Sequence, residues 1–251
     1  MNKYTVYIPS RGRAGIIILP KILSDLGINF FIAVEPQEAE LYSKHYGAGR
    51  ILVMAESDQG VAYARNFIKE HSAKNGEAWH WQMDDNIKSF MVLKEKKQKS
   101  NGLENIQTIE NYADQHGNIS HIGMAYHTWA FGKKKEMSIN KSPASCFLVN
   151  NSVPISFRKG VPVDIDYTLQ VLSKGYCTVV FEKILIEKPG PLKMKGGCTE
   201  IEYSGDKRFN RSLLLKKYWP DFIDIKFKYG RYGLVVKQLG KTFKSEPIKK
   251  W

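Results

Sequence analysis

Short apolar runs alternate with amphipathic stretches along the first half of the chain. Residues 4–8 form a β-rich run closed by Pro9, followed by the turn Ser10-Arg11-Gly12-Arg13-Ala14-Gly15. The spacing of apolar positions predicts a helix over 16–26, with Pro20 in its first turn and Gly27 as its stop. Residues 28–34 are too continuously apolar to be half exposed and read as an interior strand. A helix over 37–46, a strand over 50–54, a helix over 61–71 and a strand over 78–83 follow. Strands separated by helical stretches are βαβ units, which implies an α/β protein with a mostly parallel central sheet and helices on both faces. Further along, strands are expected over 87–93, 119–126, 144–149 and 176–181, and helices over 103–116 and 166–173. Residues 94–99 and 132–135 read as basic loops, and the tail beyond 187 is basic and aromatic without a clear period.

Composition adds class and compartment. The 251 residues are 43% hydrophobic and 25% charged, an ordinary globular balance, and enough chain to bury a core without crosslinks. Three cysteines, Cys146, Cys177 and Cys198, contain no Cys-x-x-Cys pair, which argues against a disulfide framework or a zinc knuckle. No run approaches the roughly 20 apolar residues of a membrane helix, and residues 1–7 do not look like a signal peptide. A cytoplasmic protein is expected, in the host cell's cytoplasm if the source is viral. Charge changes the picture more. Lys and Arg number 38 against 25 acids, a net +13, with 17 basic and 8 acidic residues between 181 and 251. A basic chain of this kind points to a phosphate-bearing partner.

In open α/β sheets ligands bind outside the carboxyl ends of the strands, so the turns after 8 and 83 are where chemistry is sought. Asp84-Asp85-Asn86 ends the second of these strands; paired carboxylates suit Mg²⁺ or Mn²⁺ bridging to a diphosphate, although an Asx-capped turn has the same composition. Val163-Asp164-Ile165-Asp166-Tyr167 opens a helix; one acid can cap it, and a second is available as a general base. Arg11 and Arg13 flank Gly12, pairing phosphate-gripping guanidinium groups with a backbone a ligand can approach. Gly60 with Ala64-Arg65-Asn66 repeats that pattern at a helix start. His80, between two tryptophans in a strand, reads as structural.

In order, the Ile8-Pro9-Ser10-Arg11 opening, the Gly60…Ala64-Arg65-Asn66 helix, the strand into Asp84-Asp85-Asn86, and Val163–Tyr167 with Lys174-Gly175-Tyr176 resemble a GT-A-type glycosyltransferase. The Pro-Ser-Arg-Gly-Arg opening is most similar to the phage and TET-associated DNA-modifying glycosyltransferases, which move sugars onto hydroxymethylated pyrimidines. The resemblance implies one Rossmann-like GT-A domain over residues 1–182, with a basic C-terminal extension over 183–251 packed on it and touching donor or acceptor. It also implies a nucleotide-sugar donor, a UDP-sugar, and a divalent metal. By the same resemblance, Tyr7, Pro9, Ser10, Arg11, Arg13, Arg65 and Asp84 hold the donor, with Lys193 and Lys195 as further diphosphate contacts. Asp85 and Asn86 stand at the metal, Asn86 replacing the usual last acid of Asp-x-Asp. Asp164 and Asp166 are the candidate catalytic acids. The implied acceptor is DNA carrying hydroxymethylated bases, 5-hydroxymethylcytosine first, with no membrane and no obligate protein partner. A nucleotidyltransferase of related fold and a non-enzymatic nucleic-acid-binding protein are the competing readings.

Overall fold

The computed structural model describes residues 2–130, 132, 134–190, 194–197, 206–228 and 231–250. Four strands of the first half, β1 (Val6–Pro9), β2 (Phe30–Val34), β3 (Ile51–Val53) and β4 (Trp79–Met83), pair in parallel in the order β3-β2-β1-β4. The helices between them are α1 (Leu19–Asp25), α2 (Ala39–Tyr46) and α3 (Val61–Lys74). These are the βαβ units expected from the apolar spacing.

The second half continues the same sheet with mixed pairing. After β5 (Ser89–Leu93) and β6 (Lys97–Lys99) come α4 (Gly102–Gln115), the short β7 (His116–Gly117), β8 (Ile119–Tyr126), β9 (Met137–Ile139) and β10 (Cys146–Asn150). Helix α5 (Val163–Ser173) then leads into β11 (Cys177–Glu187). Strand β10 runs antiparallel to both β4 and β8, and β11 runs parallel to β8. The carboxyl ends of β1, β4, β8 and β11 therefore share one edge of the sheet. Three local expectations change. The basic stretch 94–99 is not all loop, because 97–99 pairs with 91–93 as a hairpin arm. Helix α5 starts at Val163, since Pro162 supplies the extended residue ahead of it (φ −60°, ψ 99°). Strand β11 runs past 181 to Glu187, crossing a register shift between Phe181 and Leu185.

Side-chain alternation distributes the core. Val6 and Ile8 pack with Leu19 and Leu23 of α1 and with Ile106, Ile109 and Ala113 of α4. Tyr7, between them, faces the other way with Ala33 and Ile68 of α3. In β10, Cys146 and Leu148 join the first of these clusters, whereas Phe147 and Val149 pack with Tyr167, Leu169 and Leu172 of α5. Helices thus cover both faces. The C-terminal stretch adds α6 (Lys207–Tyr218), a hairpin of β12 (Ile223–Lys228) and β13 (Arg231–Val236), α7 (Leu239–Thr242) and β14 (Ile248–Lys249). It folds back on the body: Leu215, Ile223 and Leu239 are buried in the α5 cluster, and β14 pairs with β7. No helix among the described residues is long and apolar enough to cross a membrane.

Candidate active site

The shared carboxyl edge opens into a cavity of about 510 Å³. The loop after β1 brings Pro9, Ser10, Arg11 and Arg13, and β4 ends in Asp84, Asp85 and Asn86. The start of α3 brings Arg65, the start of α5 Asp164, the ends of β8 and β11 Tyr126 and Lys188, and α6 Arg208 and Arg211. The first loop bends at Gly12 (φ +63°), and a strap from the C-terminal side clamps it: Gly197 N donates to Arg11 O at 2.8 Å.

The acids fall into two arrangements. Asp85 is buried, accepting from Ser10 Oγ (2.7 Å) on one oxygen and from Arg13 Nη1 on the other. Burial pushes its pKa up, against the pull of Arg13 and Ser10. Asp84 is a quarter exposed; one oxygen accepts from Lys188 Nζ at 2.8 Å and the other lies 3.4 Å from Arg65 Nη2. Burial alone would raise its pKa, but Lys188 and Arg65 outweigh it and bring the value down to about 2. Asp84 is thus ionised throughout the physiological range. Arg65 is itself buried, over the Phe147 ring at 4.7 Å, and its Nη2 also lies 3.3 Å from Asp164 Oδ1. A chain of buried groups fixes it: Arg65 Nη1 donates to Gln82 Oε1, Gln82 Nε2 meets His80 Nε2, and His80 Nδ1 meets Asn151 Oδ1. Burial lowers the His80 pKa to about 3, so the ring is neutral.

Pro9, Ser10, Arg11, Arg13, Arg65, Asp84, Asp85, Asn86 and Asp164, singled out from sequence, meet around this one cavity. Two others do not. Tyr7 lies within β1, packed with Ala33 and with Ile68 of α3, where it is buried and its hydroxyl donates to Glu77 at 3.0 Å, and it does not line the cavity. Asp166 is buried away from the cavity, where it accepts from Trp219 Nε1 (2.9 Å) and Gln170 Nε2 (2.8 Å) beside Arg158; it is not placed to touch a substrate. Neither acid of α5 caps the helix with its side chain. Lys195 has an exposed side chain and meets the site through its carbonyl, which accepts from Arg13 Nε at 2.9 Å. Lys193, like Lys133 of the second basic loop, lies outside the described residues. Lys188 is the residue that sequence reading passes over. Its signal is weak, a lysine before Pro189-Gly190 past an apolar strand that reads as ending at 181.

The divalent metal expected at Asp85 and Asn86 does not fit these residues. Both Asp85 oxygens are engaged by Ser10 and Arg13, and both Asp84 oxygens face cations. Asn86 has a buried Oδ1 without a hydrogen-bond partner, but one neutral oxygen is a poor site for a hard dication. Among the described residues no three His, Cys, Asp or Glu side chains converge as metal ligands.

Comparison with known proteins gives the family. Residues 4–197 match the family model described as TET-Associated Glycosyltransferase. Curated proteins give no match. Among solved structures, a protein described as a nucleotide-diphospho-sugar transferase from Desulfovibrio desulfuricans is 8% identical with a TM-score of 0.43, the match covering 72% of this chain and 80% of that one. A mannose-1-phosphate geranyltransferase from Thermus thermophilus is 11% identical with a TM-score of 0.37, covering 72% and 58%. The chain belongs to the TET-associated glycosyltransferase family. It is therefore an enzyme that transfers sugar, which sets aside the nucleotidyltransferase and the non-enzymatic readings.

Proposed function

We propose that this TET-associated glycosyltransferase moves a sugar from a nucleotide-sugar donor, a UDP-sugar, onto the hydroxymethyl group of a pyrimidine in phage DNA, 5-hydroxymethylcytosine first. The observation that carries the reading is the charge of the cavity. Arg11, Arg13, Arg65, Lys188, Arg208 and Arg211 line it against four acids, Glu35, Asp84, Asp85 and Asp164. A volume of about 510 Å³ suits a small ligand, and the excess of cations suits a diphosphate.

The nucleoside lies toward Pro9, Ser10, Arg11 and Glu35, and the diphosphate toward Arg13 and the end of β4. Asp85 acts indirectly, fixing Ser10 and Arg13 so that the guanidinium is held for phosphate. In an inverting transfer the acceptor hydroxyl oxygen bonds to the anomeric carbon as the bond to the diphosphate oxygen breaks. The hydroxyl proton passes to the Asp164 carboxylate, and the electron pair leaves with the diphosphate into the cationic lining.

A DNA acceptor is supported by α6 and by the hairpin packed on it. Helix α6 brings Arg208 and Arg211 to the cavity, and its Phe209 ring lies 4.9 Å from Tyr232 on the β12–β13 hairpin. Tyr232 is 57% exposed and Phe227 beside it 63% exposed, next to Lys226. Exposed rings among basic side chains suit bases on a phosphate backbone. Trp219 is not part of this surface, since its Nε1 is committed to Asp166. The test is to incubate the protein with a panel of nucleotide sugars and with hydroxymethylated or plain DNA, then weigh the digested nucleosides. A mass gain equal to one sugar, on the hydroxymethylated nucleoside only, is expected. Sugar on a protein or small-molecule acceptor, with none on DNA, would remove the acceptor assignment.

A further inference from the structure

We propose that the ammonium of Lys188 does the work of a divalent cation in this enzyme, neutralising the leaving diphosphate directly. The inference rests on the reading of the cavity as a donor site, and on four observations.

First, Lys188 follows β11 at the same edge as Asp84, and its Nζ lies 2.8 Å from Asp84 Oδ2 and 2.6 Å from Ser145 Oγ. It sits against the strand-end carboxylate next to Asp85 and Asn86, the residues expected at the metal. Second, the seat is built. Ser145 adopts a left-handed backbone (φ +65°), its carbonyl accepts from Asp84 N at 2.7 Å, and its hydroxyl meets Tyr126 Oη at 2.5 Å. The Tyr126 ring lies 5.3 Å from the ammonium. A non-glycine residue held at positive φ costs free energy, and here it fixes the acid and the ammonium together. Third, Lys188 is 19% exposed and lines the cavity, so a ligand can reach it. An ammonium has three donors; Asp84 and Ser145 take two of them, leaving one for a phosphate oxygen. Fourth, Arg65 lies 3.4 Å from the other oxygen of Asp84. A dication at Asp84 would sit beside an ammonium and a guanidinium, whereas a diphosphate there meets both.

Charge and atoms balance without a metal. As the bond from the anomeric carbon to the diphosphate oxygen breaks, the electron pair stays on that oxygen and the diphosphate gains one negative charge. Lys188 stabilises that charge and keeps its proton, while the proton of the acceptor hydroxyl goes to Asp164.

The experiment titrates UDP, dTDP, GDP and ADP into wild type, Lys188→Gln and Lys188→Arg by calorimetry, each in EDTA and in Mg²⁺. Melting temperatures show which variants are folded. Wild type should bind one of the diphosphates with the same affinity in both buffers. Lys188→Gln should bind that diphosphate at least tenfold more weakly while binding its parent nucleoside unchanged, and Lys188→Arg should recover most of the loss. Wild-type binding that vanishes in EDTA and returns with Mg²⁺ overturns the proposal and leaves the donor site standing. So does a Lys188→Gln protein that binds as tightly as wild type. If Lys188→Gln fails to fold, the wild-type comparison between buffers still decides. A wild type that binds none of the four in either buffer removes the donor reading, and the role of Lys188 with it.

Discussion

Arg65 reaches acids from two elements, Asp84 after β4 and Asp164 in α5, so one buried guanidinium ties the end of β4 to the start of α5. Asp164→Asn keeps the shape of the side chain and removes its basicity. Turnover should fall by about 10²–10⁴-fold, the usual worth of a general base, with donor affinity near wild type; steady-state kinetics beside donor titration reads both. Asp166→Asn should do the reverse. Its two oxygens accept from Trp219 and Gln170, and an amide there turns one acceptor into a donor facing a donor. A loss of about 1–3 kcal/mol in stability is expected, with turnover per folded molecule unchanged, as denaturant unfolding beside activity would show. Which residues carry charge at the strand ends is legible in the sequence, because chemistry of that kind leaves a pattern of residue types. Which side of a backbone they face is not. Tyr7 lies between Val6 and Ile8 with side chains alternating, so a one-residue step separates the core against α1 and α4 from the α3 face.

At the level of elements, a strap through Gly196 and Gly197 clamps the first loop, Gly197 N donating to Arg11 O. Gly196 has φ +74°, and a Cβ on it would come within 2.5 Å of Gly12 O. Gly196→Ala therefore adds backbone strain of about 1–2 kcal/mol to a clash that only movement of the strap can relieve. If the strap orders the Arg11–Arg13 loop for binding, donor affinity should weaken roughly tenfold. Unchanged affinity in a titration would separate strap from donor site. The strands and helices of the first half can be read because their periods are long and clean. Strand β9 is invisible in the sequence: three residues between a basic loop and a turn carry no period, and it forms because β11 offers an edge for Val179 to pair with Ile139. The extension of β11 is hidden for a related reason, since the register shift after Phe181 interrupts the apolar pattern that a single strand would show.

For the molecule as a whole, +13 of net charge predicts that affinity for the proposed DNA acceptor depends on salt. The logarithm of affinity should fall linearly with the logarithm of salt concentration, as neutralised phosphates release counterions. A salt-independent acceptor affinity would favour an uncharged acceptor. Acid stability follows from two buried rings. His80 and His121 are both held near a pKa of about 3, chiefly by burial, against an ordinary 6.5. Between these values the unfolded chain takes up protons that the folded chain refuses, so stability is complete above about pH 6.5 and is lost as pH falls toward 3. The loss is on the order of 1 kcal/mol per pH unit for each histidine. Melting temperature should drop steadily from pH 7 to pH 5, and a flat profile would show that the rings are protonated in the fold. The claim on which the account depends is that the cavity at the carboxyl edge of the sheet binds the sugar donor. The most direct test is a crystal structure of the protein with UDP. The diphosphate is expected among Arg13, Arg65 and Lys188, with the nucleoside beside Pro9 and Arg11. UDP bound elsewhere, such as in the second cavity beside His116 and Asn151, with the carboxyl-edge cavity empty, would contradict that claim.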